Sequence, residues 1–200
     1  MIESEHVGPD LPSVRAFVAI RLDDATRSAL RAQIDRLRAA APYVAWVPAE
    51  NLHLTLKFLG NVEANSLEDV TAALEAAVRD SAPFDLEIRG LGAFPTPTRA
   101  RVVWAGVTAA QEAMVTLAGR IEAALEPVGF PREARPLSPH VTLGRVRAPR
   151  KDPRLARLIE SGAAVEFGTL RAGAVWLMRS DLSSRGARYS EIAVVSLPPR

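Results

Sequence analysis

Cysteine is absent from this chain. That excludes disulfides, thiolate zinc sites and a cysteine nucleophile. Long apolar runs are absent as well: none approaches the ~18 residues that a membrane-spanning helix requires. The opening residues, MIESEHVGPDLPSV, are acidic and contain no apolar core segment. No secretory signal is therefore expected, and residues 1–13 read as a loose, flexible tail. Together these absences point to a cytoplasmic protein that does not enter a membrane. The G-x-S-x-G elbow of serine hydrolases is missing, as are the P-loop and the dinucleotide-binding fingerprint. Aromatic residues are sparse at 6%, and lysine is rarer still, since 23 of the 25 basic residues are arginine.

The 200 residues, 48% hydrophobic and 24% charged, suffice for one soluble domain with a shared core. The formal net charge is only +2, yet it is unevenly spread. Between Arg132 and Arg157 lie Arg132, Arg135, Arg145, Arg147, Arg150, Lys151, Arg154 and Arg157, opposed only by Glu133 and Asp152. This segment carries +6 and leaves −4 for the rest. A compositional bias explains arginine over lysine but not the clustering, which favours a polyanionic partner along Arg147, Arg150 and Lys151.

Three histidines are present, and two of them share a motif. His53-Leu54-Thr55-Leu56 returns 87 positions later as His140-Val141-Thr142-Leu143. In a strand, residues i and i+2 face the same side, so each copy offers one imidazole and one hydroxyl on one surface. Two opposed imidazoles form an acid/base pair suited to near-neutral pH. A lone histidine in a strand is most often structural; its repetition at an equivalent place favours a functional site.

The surroundings of the motif repeat too. A strand over 15–22, a helix from Asp23 or Asp24 to about Ala40, and a strand over 52–59 stopped by Gly60 form the first series. Ser66-Leu-Glu-Asp69 then reads as a capping box for a helix reaching about Arg79, before a strand over 84–91 and a Pro/Gly-rich loop. The second series runs through a strand over 101–107, a helix over 111–125, the motif strand over 141–146 and a short helix over 152–160. Strands over 165–167, 174–179 and 188–195 complete the chain. The two series are offset by roughly 85–90 positions. The expected fold is α+β: one bilobal domain over 14–200 made of two interleaved lobes, each carrying one His-x-Thr motif, duplicated about a pseudo-two-fold axis, with antiparallel sheets lining a central cleft and helices outside. A monomer is expected.

Two histidines invite a zinc reading, but no third ligand has suitable spacing; Glu50, Glu63 and Asp85 could join only through the fold. No metal and no cofactor are expected.

HLTLKFLG at 53–60 and PHVTLGRV at 139–146 resemble the paired signatures of the 2H phosphoesterases. Within that superfamily the chain resembles the RNA 2′,3′-cyclic phosphodiesterases of the LigT/ThpR-like group, once described as 2′-5′ RNA ligases. The likeness extends through FVAI at 17–20, WVPAENLHLTLKFLG at 46–60, GAFP at 92–95, RVVWAGV at 101–107 and ARY at 187–189. It departs in the N-terminal extension and in Phe58, which stands where the first motif would need a counterpart to Arg145.

The resemblance implies a metal-independent hydrolase acting on RNA with a 2′,3′-cyclic phosphate end, tRNA fragments among the candidates, and leaving a 2′-phosphate. It implies His53 as proton donor and His140 as proton acceptor. Thr55, Thr142 and Arg145 would bind the phosphate. Arg145 lies an odd number of residues from His140, so it reaches the same face only if a bulge near Gly144 breaks the alternation. Phe58 raises the same parity question. Phe58, Trp46 and Tyr43 are candidates for stacking a base, with core packing the alternative for each. Two other functions are weighed: action on small cyclic nucleotides or 2′-5′ joining of RNA ends, and an RNA-end-binding module without turnover.

Overall fold

The computed structural model describes residues 12–148, 151–184 and 186–199. Along them run β1 (Ser13–Arg21), α1 (Asp24–Ala40), β2 (Val44–Trp46), β3 (His53–Glu63), α2 (Leu67–Val78), β4 (Phe84–Phe94) and β5 (Val102–Val107). There follow α3 (Gln111–Leu125), β6 (His140–Val146), α4 (Pro153–Ser161), β7 (Glu166–Ala172), β8 (Ala174–Ser183) and β9 (Gly186–Ser196). Ser13, read above as tail, already pairs with Glu63 at the start of β1. The rest of the expected tail, residues 1–11, and Arg150 lie outside the described residues.

α1 and α4 begin at side-chain caps, whereas α2 and α3 have none. Asp23 accepts a hydrogen bond from the Thr26 amide at 2.8 Å, a cap that contributes about 1 kcal/mol. Leu30, Ile34 and Leu37, at helical spacing, bury the inner face of α1. Asp152 caps α4 through the amides of Arg154 and Leu155, with Pro153 in the first turn. The capping box expected at Ser66 does not form. A 3-10 turn over Ala64–Ser66 precedes α2 and leaves Ser66 helical at φ −88°, ψ −6°, whereas an N-cap needs extended backbone.

The strands pair antiparallel in the order β7-β4-β5-β6-β3-β1-β8-β9, with β2 on β6. Read outward from the centre, β6 matches β3, β5 matches β1, β4 matches β8 and β7 matches β9. This is the pseudo-two-fold arrangement that the repeat predicts. The two halves are continuous through one residue pair, Leu54 with Val141, and the sheet curls about the cleft there. The halves interleave: β4, from the first series, pairs with β5, while β8, from the second, pairs with β1. The helices follow suit, α2 packing on α3 and α1 on α4. Neither half could bury its apolar face alone.

Gly60, read as a stop, and Gly92, read as the first residue of the loop after 84–91, both prove to be inside strands. Gly60, at φ +71°, takes the left-handed conformation of a bulge, and β3 runs on to Glu63. Gly92 lies under the Trp104 indole, where a Cβ would come within 2.1 Å of the ring. β4 therefore continues to Phe94, shortening the expected loop.

Candidate active site

The motif strands meet at their motifs. Leu54 and Val141 face each other and point into the core, both fully buried. His53, Thr55, His140 and Thr142 alternate with them and stand half-buried on the opposite, cleft-facing side.

Beyond each Thr the alternation breaks in the same way. In β3, Thr55 pairs with Ala19 and Lys57 with Val18, leaving Leu56 unmatched. In β6, Thr142 pairs with Trp104 and Gly144 with Val103, leaving Leu143 unmatched. One extra residue per strand moves the following side chain to the other face. Phe58 and Arg145, each five residues after its histidine, thereby return to the cleft side and are exposed. Burial alternates identically over 53–59 and 140–146. The parity objection to Arg145 and Phe58 is resolved by this pair of bulges.

The imidazoles are oriented by matching contacts. His53 Nδ1 lies 2.7 Å from the Asn51 carbonyl oxygen, and His140 Nδ1 lies 2.7 Å from that of Ser138. A carbonyl only accepts, so Nδ1 carries the proton in each ring and Nε2 is left to work. Aromatic rings wall both: Phe17 at 4.7 Å and Tyr189 at 5.3 Å from His53, Phe94 at 5.1 Å and Trp104 at 6.4 Å from His140. Shielding from water is the main force holding both histidines below the ordinary value of 6.5. The carbonyl contacts oppose it; the Arg145 charge adds to it, and His140 lowers His53 further. The unliganded cleft thus favours neutral imidazoles and is poised for an anion.

A cavity of about 450 Å³ opens beside His140, lined among others by Thr55, Phe58, Thr142, Arg145, Val115 and Arg135. Phe58, 57% exposed, forms an apolar wall of it. Tyr43 and Trp46 do not line it. The Tyr43 hydroxyl donates to Asp152 at 2.6 Å, and the Trp46 indole donates to the Ala41 carbonyl at 3.0 Å; both rings pack against the core. Of the three aromatic candidates, the structure brings only Phe58 to the cleft.

The acidic residues considered as metal ligands are dispersed. Asp85 pairs with Arg171, Glu63 ends β3 opposite Ser13, and Glu50 lines a cavity with His53 where Glu191 is paired with Arg21. Among the described residues, no three His, Cys, Asp or Glu side chains gather as a metal site.

Two features escaped the sequence reading. Lys57, only 3% exposed, donates to Glu122 Oε2 at 2.5 Å and to the Pro131 carbonyl at 2.7 Å. It ties β3 to α3 and to the loop that closes the cavity. Its position beside the motif was visible, but burial depends on the bulge. The second is Asn51, whose side chain donates to the Ala187 carbonyl at 2.7 Å and so fixes the corner holding His53. The FVAI, GAFP, RVVWAGV and ARY segments supply the four rings around the imidazoles. Among the described residues, no helix is long and apolar enough to cross a membrane.

The sequence profile of the 2′-5′ RNA ligase superfamily matches residues 26–183. An RNA 2′,3′-cyclic phosphodiesterase of Methanothermobacter thermautotrophicus is 39% identical over 92% of this chain and 99% of its own. One from Archaeoglobus fulgidus is 33% identical over 90% and 99%. Among solved structures, TT0787 of Thermus thermophilus superposes with a TM-score of 0.78 at 31% identity, covering 92% of this chain and 98% of the other. Escherichia coli LigT, solved in complex with 3′-AMP, superposes with a TM-score of 0.71 at 26% identity over 93% and 99%.

Proposed function

The chain belongs to the 2′-5′ RNA ligase superfamily, and from that premise we propose that it hydrolyses 2′,3′-cyclic phosphate ends of RNA to 2′-phosphomonoesters without a metal. The observation that carries this reading is the symmetric presentation of two Nδ1-anchored imidazoles and two threonine hydroxyls at the junction of the half-sheets. The names and close similarity of the curated relatives agree with it.

In this reading the cyclic phosphate sits between the rings. His140 Nε2 takes a proton from water as the water oxygen bonds to phosphorus. The bond from phosphorus to the 3′ oxygen breaks, and His53 Nε2–H gives that oxygen its proton. Thr55 and Thr142 donate hydrogen bonds to the non-bridging oxygens, and Arg145 meets their growing charge. The order of the two histidines rests on the family resemblance. A bound phosphodiester anion offsets the Arg145 charge and raises both imidazoles, so that one can hold its proton. Phe58 stacks the terminal base, as its exposed ring in an otherwise walled cavity suggests.

The test uses an RNA ending in a 2′,3′-cyclic phosphate and protein dialysed against EDTA. Undiminished conversion to a 2′-phosphate is expected. A 3′-phosphate product would refute the direction of opening, and activity lost to EDTA and restored by zinc or manganese would refute metal independence.

A further inference from the structure

A second cavity, about 780 Å³, is lined by Phe94, Pro95, Arg99, Arg101, Val102, Arg135 and Lys151. Four of its seven lining residues are cations, and no carboxylate lines it. They come from three segments: the loop and turn before β5, the loop before β6, and the approach to α4. All four are exposed, and among the described residues none forms an ion pair. Arg132, close by in sequence, instead pairs with Glu126 at 2.9 Å. Converging like charges repel, and among the described residues no carboxylate lines the cavity to offset them, so the basin suits an external polyanion.

Two contacts join this basin to the candidate active site. Arg135 lines both cavities, standing on the rim between them. Phe94, in the basin wall, presents its ring to His140 at 5.1 Å. The basin therefore adjoins the cavity that would hold a nucleoside beside Phe58.

We propose that the Arg99–Arg101–Arg135–Lys151 basin binds the phosphodiester backbone of the nucleotides preceding the terminal one, making the enzyme selective for polynucleotide ends over mononucleotides. This deepens the function proposed above and rests on it for the placement of the terminal nucleotide. The strand path differs from the one that charge clustering suggested, because it draws on Arg99 and Arg101, more than 30 residues before the basic segment.

The test compares a trinucleotide ending in a 2′,3′-cyclic phosphate with a 2′,3′-cyclic mononucleotide, using wild type and the Arg99→Glu/Arg101→Glu variant of the full chain. Both side chains are exposed, and unchanged circular dichroism and Tm verify folding. Wild type should prefer the trinucleotide. The variant should lose roughly tenfold or more in kcat/KM on the trinucleotide, through KM, and stay within about twofold on the mononucleotide. Its dependence of log(kcat/KM) on log[salt] should be shallower by about 1.4, since each of the two lost single-strand phosphate contacts contributes about 0.7. Equal losses on both substrates, or an intact trinucleotide preference, would overturn the proposal. Free polyphosphate is the other source of the same chemistry. If ATP inhibits wild type but not the variant while trinucleotide turnover is unaltered, the basin serves a free nucleotide and the strand path is wrong. Should wild type turn over neither substrate, the proposed function fails. Fluorescence anisotropy with a 3′-phosphorylated trinucleotide then decides the basin alone, weaker binding by the variant supporting it and equal binding ending it.

Discussion

Each imidazole is fixed by the carbonyl two residues before it, so the nitrogen left free, Nε2, is chosen by backbone rather than by a carboxylate. The consequence is kinetic. Replacing His53 or His140 by alanine should lower kcat by roughly 10² to 10⁴, the usual contribution of one general acid or base. The double variant should lose far less than the product of the single losses, because the two groups act in one transition state. A substrate with a better leaving group at the 3′ oxygen needs no general acid, so it should rescue His53→Ala and not His140→Ala. Rescue of the other variant would reverse the roles. Both rings are held below the ordinary histidine value in the free protein, chiefly by shielding from water. The pH profile of kcat/KM should therefore be bell-shaped with its limbs displaced to the acid side of about 6.5. Bound phosphodiester raises both groups, so the kcat profile should lie at higher pH than that of kcat/KM. Coincident profiles would show that substrate does not sit between the rings.

At the scale of elements, the motif strands depend on a bulge that no single-strand reading can locate. Two identical His-x-Thr segments told which residues share a face up to Thr55 and Thr142. After that the alternation is set by pairing with β1 and β5, and pairing is a property of two segments at once. The sequence reading could see that Arg145 had the wrong parity and that a bulge near Gly144 would cure it. That Phe58 was cured by the same device, and that Lys57 was buried by it, needed the register. Tyr43 and Trp46 precede the motif closely in sequence, yet β2 lies on β6 and turns their rings to the core. Lys57 makes the bulge testable. Removing it leaves Glu122, with a side chain 14% exposed, without its cation while it still accepts from the Glu133 amide. Lys57→Met should destabilise the fold by about 3–5 kcal/mol in denaturant titration. Adding Glu122→Gln, which removes the stranded charge but keeps an acceptor, should recover most of that loss. No recovery would mean that Lys57 contributes through packing of its stem rather than through the ion pair.

Across the whole molecule, duplication was legible and interleaved lobes were expected, but which strands cross between the halves was not. The repeat of strand, helix and motif predicted two matched half-sheets and a cleft between them. It could not reveal that β4 and β8 cross to the opposite half, because both strands have the same alternation wherever they pair. The crossing makes one cooperative unit, so local electrostatics at the cleft should appear in global stability. Both cleft histidines have folded-state values below 6.5, their unfolded value. Below 6.5 the unfolded chain binds protons that the folded cleft refuses, and stability falls as pH falls. The loss should begin near 6.5 and be complete once pH passes below the folded-state values. The Tm of wild type should thus decline through this window more steeply than that of the His53→Ala/His140→Ala variant. A bound anion reverses the sign at the site, because it favours the charged rings. Saturating 2′-phosphorylated nucleotide should raise the wild-type Tm and flatten its decline, with a smaller effect on the double variant. Parallel declines in the two proteins, with and without nucleotide, would show that the cleft is open enough to water for both histidines to titrate as they do in the unfolded chain.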